Sequence, residues 1–209
     1  MKKGLFVFAM LFLAINSYGQ TINYSSNSKI ITDSISTVSF RDLFNLTLKK
    51  ASQTTDFSGV IYELTLLIQR LQSEKSDLDI TTKEKNKFLG EALGARGVAK
   101  MFLEDYRGAI SDFSEKISVV GLSDLITPTL SLRGDCKAQI GDYDGAILDF
   151  NLSLAMSKNP PNWELSIMYF RRGLAYKAKN QKEKACQDFS RAGELGNPDV
   201  YKIIKEFCN

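Results

Sequence analysis

The chain repeats itself, and the repeat constrains its fold more than any other feature. Arg133-Gly134-Asp135-Cys136, followed by Asp142-Tyr143-Asp144-Gly145-Ala146-Ile147-Leu148-Asp149-Phe150, reads as a helix with a small-residue notch, a tight turn and a second helix. The pattern occurs upstream as Arg96-Gly97-Val98-Ala99 with Asp105-Tyr106-Arg107-Gly108-Ala109-Ile110-Ser111-Asp112-Phe113. It recurs downstream as Arg172-Gly173-Leu174-Ala175 with Lys184-Ala185-Cys186-Gln187-Asp188-Phe189. The glycines at 97, 134 and 173 are 37 and 39 residues apart, while the glycine-to-alanine step is 12 and the glycine-to-phenylalanine step 16 in every copy. Units that keep their internal spacing and vary only between units are the mark of stacked repeats.

Composition narrows the function classes. The 209 residues carry a formal charge of +3 and no histidine, which removes histidine triads, bases and metal ligands together. Three cysteines show no metal-ligand spacing, so neither cofactor nor metal is expected. Residues 1–19 read as a signal peptide: Lys2 and Lys3, an apolar run from Gly4 to Ile15, then Ser17-Tyr18-Gly19 before a cut at Gln20. That run is shorter than the ~20 residues of a spanning helix, so no membrane span is expected in the mature form. The protein is therefore expected to be exported, periplasmic or extracellular. Cleavage leaves 25 basic against 24 acidic residues, a balance that points to no nucleic acid. Residues 20–36 are serine-rich and read as a flexible leader.

The domain proper is read as 37–209. Phe40, Leu43, Phe44 and Leu48 fall at helical spacing. Asp56-Phe57-Ser58-Gly59-Val60-Ile61-Tyr62-Glu63-Leu64 matches the second helix of the repeat in kind. Residues 39–72 are thus a degenerate unit with Leu48 in the glycine position, or a plain capping hairpin; both give the same fold. A polar loop follows over 73–82, and Thr81 with Glu84 forms a capping box. The clear units run about 84–120, 127–158 and 162–195. Thr127-Pro128 reads as a capping hydroxyl followed by proline in the first turn. Residues 198–208, with Val200, Ile203, Ile204 and Phe207 on one stripe, read as a terminal capping helix.

These residues resemble the tetratricopeptide repeat, well over about 84–195 and poorly over 39–72. Its glycine is matched by Gly97, Gly134 and Gly173, its second-helix alanine by Ala109, Ala146 and Ala185, and its phenylalanine by Phe113, Phe150 and Phe189. The tyrosine position departs, holding Lys100, Lys137 and Tyr176, and the later alanine is kept only at Ala192. The resemblance implies an all-α fold, an α-solenoid of antiparallel hairpins whose groove binds a peptide or protein. It implies no reaction. By the same resemblance the groove is lined from the first helices by Glu91, Gly94, Val98 and Met101, then Ser131, Asp135 and Ala138, then Ile167, Phe170, Leu174 and Lys177. Of the residues with which some members clamp a terminal carboxylate only Arg171 survives, so that clamp is not expected.

Two further features sit outside the family pattern. Arg96, Arg133 and Arg172 precede the glycines, and Asp112, Asp149 and Asp188 precede the phenylalanines. They read as a ladder of ion pairs setting the hairpin angle, or as solvated charge worth about 0–1 kcal/mol a pair. Cys136 takes the small-residue slot of Ala99 and Ala175 and is expected to be buried. Cys186 takes the inward slot of Ile110 and Ile147, and the terminal helix should carry Cys208 back towards it, so a Cys186–Cys208 disulfide is predicted. The functional expectation is an exported, non-enzymatic interaction module. The rivals are a purely structural subunit of an envelope assembly and an enzyme using a carboxylate pair such as Glu91 and Asp135.

Overall fold

The computed structural model describes residues 40–73, 80–121 and 126–208, and every regular element among them is helical. The signal peptide, the leader and most of the 73–82 loop lie outside the described residues. The helices are α1 (Phe40–Gln53), α2 (Phe57–Gln72), α3 (Thr82–Phe102), α4 (Tyr106–Val120), α5 (Thr127–Gln139), α6 (Tyr143–Met156), α7 (Asn162–Ala178), α8 (Lys182–Glu194) and α9 (Val200–Ile203). They pair as α1–α2, α3–α4, α5–α6 and α7–α8, each hairpin stacking on the next: an α-solenoid.

The notch explains the pairing. Within each clear hairpin the second-helix phenylalanine lies across the first-helix glycine. A β-carbon on Gly97 would stand 2.7 Å from the Phe113 ring, on Gly134 3.0 Å from Phe150, and on Gly173 2.8 Å from Phe189. All three rings are almost fully buried. The phenylalanine therefore fills the notch of its own hairpin. It also reaches the next one: Phe113 shares a cluster with Cys136, and Phe150 shares one with Ala175. In the first unit Leu64 replaces the phenylalanine, Leu48 replaces the glycine, and a separate apolar cluster with Phe44 and Leu71 holds α1 and α2 against α3.

Turn chemistry closes each hairpin. Asp56, Asp105 and Asp142 cap α2, α4 and α6 by accepting from the N–H of Gly59, Gly108 and Gly145, each at 2.9 Å. A β-carbon on those glycines would meet the capping carboxylate at 2.3, 2.1 and 2.1 Å, so this Asp cap and its glycine come as a pair. The third clear unit has Gln181 and Lys184 instead, and no side-chain cap. The Thr81–Glu84 capping box is formed on α3. Thr127 does not cap α5; it is the first helical residue, after Ile126, with Pro128 in the first turn as expected. The terminal stripe is one short α-turn, α9, running into a π-helical turn over Ile204–Cys208. That wider turn sets Phe207 beside Lys177 and Cys208 beside Cys186.

The arginines and aspartates form a buried ladder. Arg96 donates to both carboxylate oxygens of Asp112 at 2.9 and 2.7 Å, Arg133 to Asp149 at 2.9 and 2.6 Å, and Arg172 to Asp188 at 2.8 and 2.7 Å. The remaining guanidinium nitrogen reaches back to the preceding hairpin: Thr65 at 3.1 Å, Ser114 at 3.1 Å and Asn151 at 2.7 Å. Asp112 and Asp149 are 2% exposed, which overturns the solvated-charge reading. Each arginine thus ties three helices at once. Lys100 and Lys137, in the position where the resemblance departs, add a second cation to Asp112 and Asp149 at 2.9 and 3.0 Å.

Candidate functional site

The first helices α3, α5 and α7 carry the residues expected in the groove, and the structure separates them into open and buried. Leu174 is 40% exposed, and Lys177 is exposed with its ammonium 5.0 Å above the Phe207 ring. Glu91, Asp135, Met101 and Phe170 are half-buried. Phe170 leans into the C-terminal cluster, 6.1 Å from Phe189, so much of its ring serves the cap. Val98 and Ser131 correct the expectation, because both are buried. Val98 packs among Ala109, Phe113 and Cys136 and borders the cleft against Ala51 and Val60. The Ser131 hydroxyl turns into its own hairpin and is hydrogen-bonded to Ser153 at 2.9 Å.

One compensation explains which first-helix residues stay in view. The position three before the notch faces the position three after the phenylalanine. The pairs are Gly94 with Lys116 and Ser131 with Ser153, and in the third unit Phe170 packs on the cluster that holds Ala192. Small meets large, medium meets medium, large meets small. A β-carbon on Gly94 would stand 2.8 Å from Lys116 Nζ, so this lysine of α4 lies across the first helix. Reasoning from first helices alone missed Lys116. The signal that could have found it was the missing side chain at Gly94.

Electrostatics concentrate along this strip. Arg171 of α7 pairs with Asp135 of α5 at 2.7 Å, joining two first helices. Burial pushes the Asp135 carboxyl up to about 6, against the pull of Arg171. Burial also raises the Glu91 carboxyl, opposed by Lys87 and Lys116, and lowers the Lys116 ammonium, opposed by Glu91. Among the described residues no group of three histidine, cysteine or carboxylate side chains could hold a metal ion, and no helix is long and apolar enough to cross a membrane. What the strip offers is an exposed apolar side chain, Leu174, among cations and carboxylates.

Cys186 and Cys208 are joined, with 5.7 Å between their α-carbons, so the end of the chain is tied to α8. Cys136 is free and fully buried, and its thiol is pushed up to about 12, first by burial and then by Asp135. It is a protonated packing residue at neutral pH.

Comparison with known proteins fits this geometry. Residues 167–195 match the family described as the tetratricopeptide repeat. No curated protein matches the sequence. Among solved structures, "MamA RS-1 ArsTM double mutant" superposes with a TM-score of 0.54 at 21% identity, over 75% of this chain and 73% of that one. MamA from Desulfovibrio magneticus RS-1, from residue 41 to its end, gives 0.54 at 20% identity over the same shares. The first tetratricopeptide domain of Spaghetti (RPAP3), bound to an HSP90 peptide, gives 0.49 at 20% identity over 57% of this chain and 90% of that one. At these identities the likeness is one of fold: an all-α helical solenoid.

Proposed function

We propose, from the premise that this chain is a tetratricopeptide-repeat protein, that it is an exported, non-enzymatic module whose groove of first helices binds a peptide or another envelope protein. The observation that carries the reading is Leu174, 40% exposed in the strip between the Arg171–Asp135 pair and Lys177. A leucine flanked by charges along its helix is an apolar anchor beside polar groups, the pattern of a recognition surface. Export is supported by the leader pattern of residues 1–19 and by the Cys186–Cys208 disulfide, a bond that persists in oxidising compartments. The test is capture from envelope extract with the oxidised chain and its Leu174→Asp variant, both shown by circular dichroism to be folded. A partner lost with Leu174→Asp supports the groove; a partner retained at equal yield rejects it.

One observation favours a second reading, a structural subunit joined through its outer face. Leu148 and Leu152 lie one turn apart on α6 and are 63% and 43% exposed. Loss of association with Leu148→Asp, and not with Leu174→Asp, is the outcome that reading requires.

A further inference from the structure

Two of the three internal joints of the stack use the same two positions. The residue two before the notch reaches back to the hairpin in front, where the residue one after the notch awaits it. Arg171 meets Asp135 in this way at 2.7 Å, and Leu132 packs on the cluster that holds Val98. At the two ends of the stack both positions hold leucine, and both are open. Leu46, two before Leu48, is 52% exposed on α1, and Leu174, one after Gly173, is 40% exposed on α7. The head and the tail of the stack therefore carry matching apolar residues at the positions that meet in those two joints.

The C-terminal cap stands between them. In the interior, Phe113 packs with Cys136 of the next first helix, and Phe150 with Ala175. At the end, Phe189, Ala185 and Ala192 pack with Val200, and Ile203, Ile204 and Phe207 close around them. The cap thus occupies the place of a further first helix. It has nine helical residues in two different windings, and the Cys186–Cys208 bond is its covalent tie to α8.

We propose that this end face is a stacking site for the first hairpin of a second copy of the chain, and that the Cys186–Cys208 disulfide controls access to it. A dithiol reductant supplies two electrons and two protons. The S–S bond breaks, Cys186 and Cys208 become thiols, and the reagent closes into its own disulfide. The cap is then held by apolar contact alone, and α1–α2 of another copy competes for the same flank, with Leu46 set on Leu174. The contact is head to tail, so it propagates as an open chain instead of closing as a symmetric dimer.

The test is sedimentation of the full mature chain over a concentration series, oxidised and after dithiothreitol, alongside the Cys186→Ser/Cys208→Ser variant. The oxidised chain stays at monomer mass. The reduced chain and the variant rise with concentration to at least twice that mass, and trypsin cuts faster at the exposed Lys202 and Lys205 of the released cap. In the cysteine-free-latch background, Leu46→Asp and Leu174→Asp are each monomeric alone. Mixed, they form a dimer, because one keeps a working tail and the other a working head. A reduced chain that stays monomeric overturns the proposal, whether or not the cap is released, and so does a mixture that gives no dimer. Reduced wild type, checked for helicity, decides the matter where a variant fails to fold. Leu46→Asp leaves Leu174 in place, so a loss of stacking in that variant is read apart from the Leu174 anchor of the groove.

Discussion

Glu104, Gly141 and Asn180 occupy one structural position, seven residues after each notch, and all three have left-handed backbone, with φ of 60°, 83° and 56°. The N–H groups that follow close the same C-terminal cap in each hairpin: Asp105 to the Lys100 carbonyl, Asp142 to Lys137 and Gln181 to Tyr176, at 2.9, 2.9 and 3.0 Å. Glycine takes this conformation freely and asparagine tolerates it, while a glutamate pays a steric cost through its β-carbon. Glu104→Gly is therefore expected to stabilise the chain by about 0.5–1 kcal/mol despite the greater freedom of glycine in the unfolded state. The urea midpoint should rise with an unchanged slope; a fall would mean that the Glu104 side chain makes a contact worth more than its strain.

At the scale of the helix pair, the ladder of arginines is the element that turns three similar hairpins into one stack. Each guanidinium spends two nitrogens on its own hairpin and one on the hairpin before, so hairpin angle and stacking angle are set by a single planar group. Removing one partner leaves the other charge buried and unmatched. Asp149→Ala, which strands Arg133 and Lys137, should cost about 3–5 kcal/mol. A double-mutant cycle of Arg133→Met with Asp149→Ala should recover part of that loss, and additive effects would deny the coupling. In the third unit Tyr176 replaces the lysine, and Arg172 lies 5.3 Å from the Tyr169 ring and 5.9 Å from that of Tyr176. Aromatic faces take over there from the second cation.

For the molecule as a whole, the joint between the second and third clear hairpins carries the Arg171–Asp135 ion pair between two first helices. Asp135 ionises near 6 in the folded chain and near 3.8 when unfolded, so between those values the folded state holds a proton that the unfolded state has released. Stability from this group is full below about 3.8 and is lost as pH rises through about 6. Relative to Asp135→Asn, wild type should therefore weaken by roughly 2 kcal/mol between about pH 4 and pH 7 and then hold level. Urea midpoints of the two proteins across that range provide the check; a constant difference would place the proton elsewhere.

The repeat made the hairpins, their register, the buried small cysteine at 136 and the helical class legible from residues alone, because close helix approach needs glycine and alanine at fixed intervals whatever surrounds them. The ladder was visible only as two readings, since an arginine four residues from a lysine looks the same in sequence whether it meets water or a buried carboxylate. Which first-helix side chains reach the groove was decided by tertiary structure. Ser131 is covered because Ser153 is there to bond it, Lys116 lies over the strip because Gly94 leaves it room, and Val98 is covered by packing among Phe113 and Cys136. Exposure at those positions depends on the volume presented by another helix, and a single helix's pattern holds no record of it.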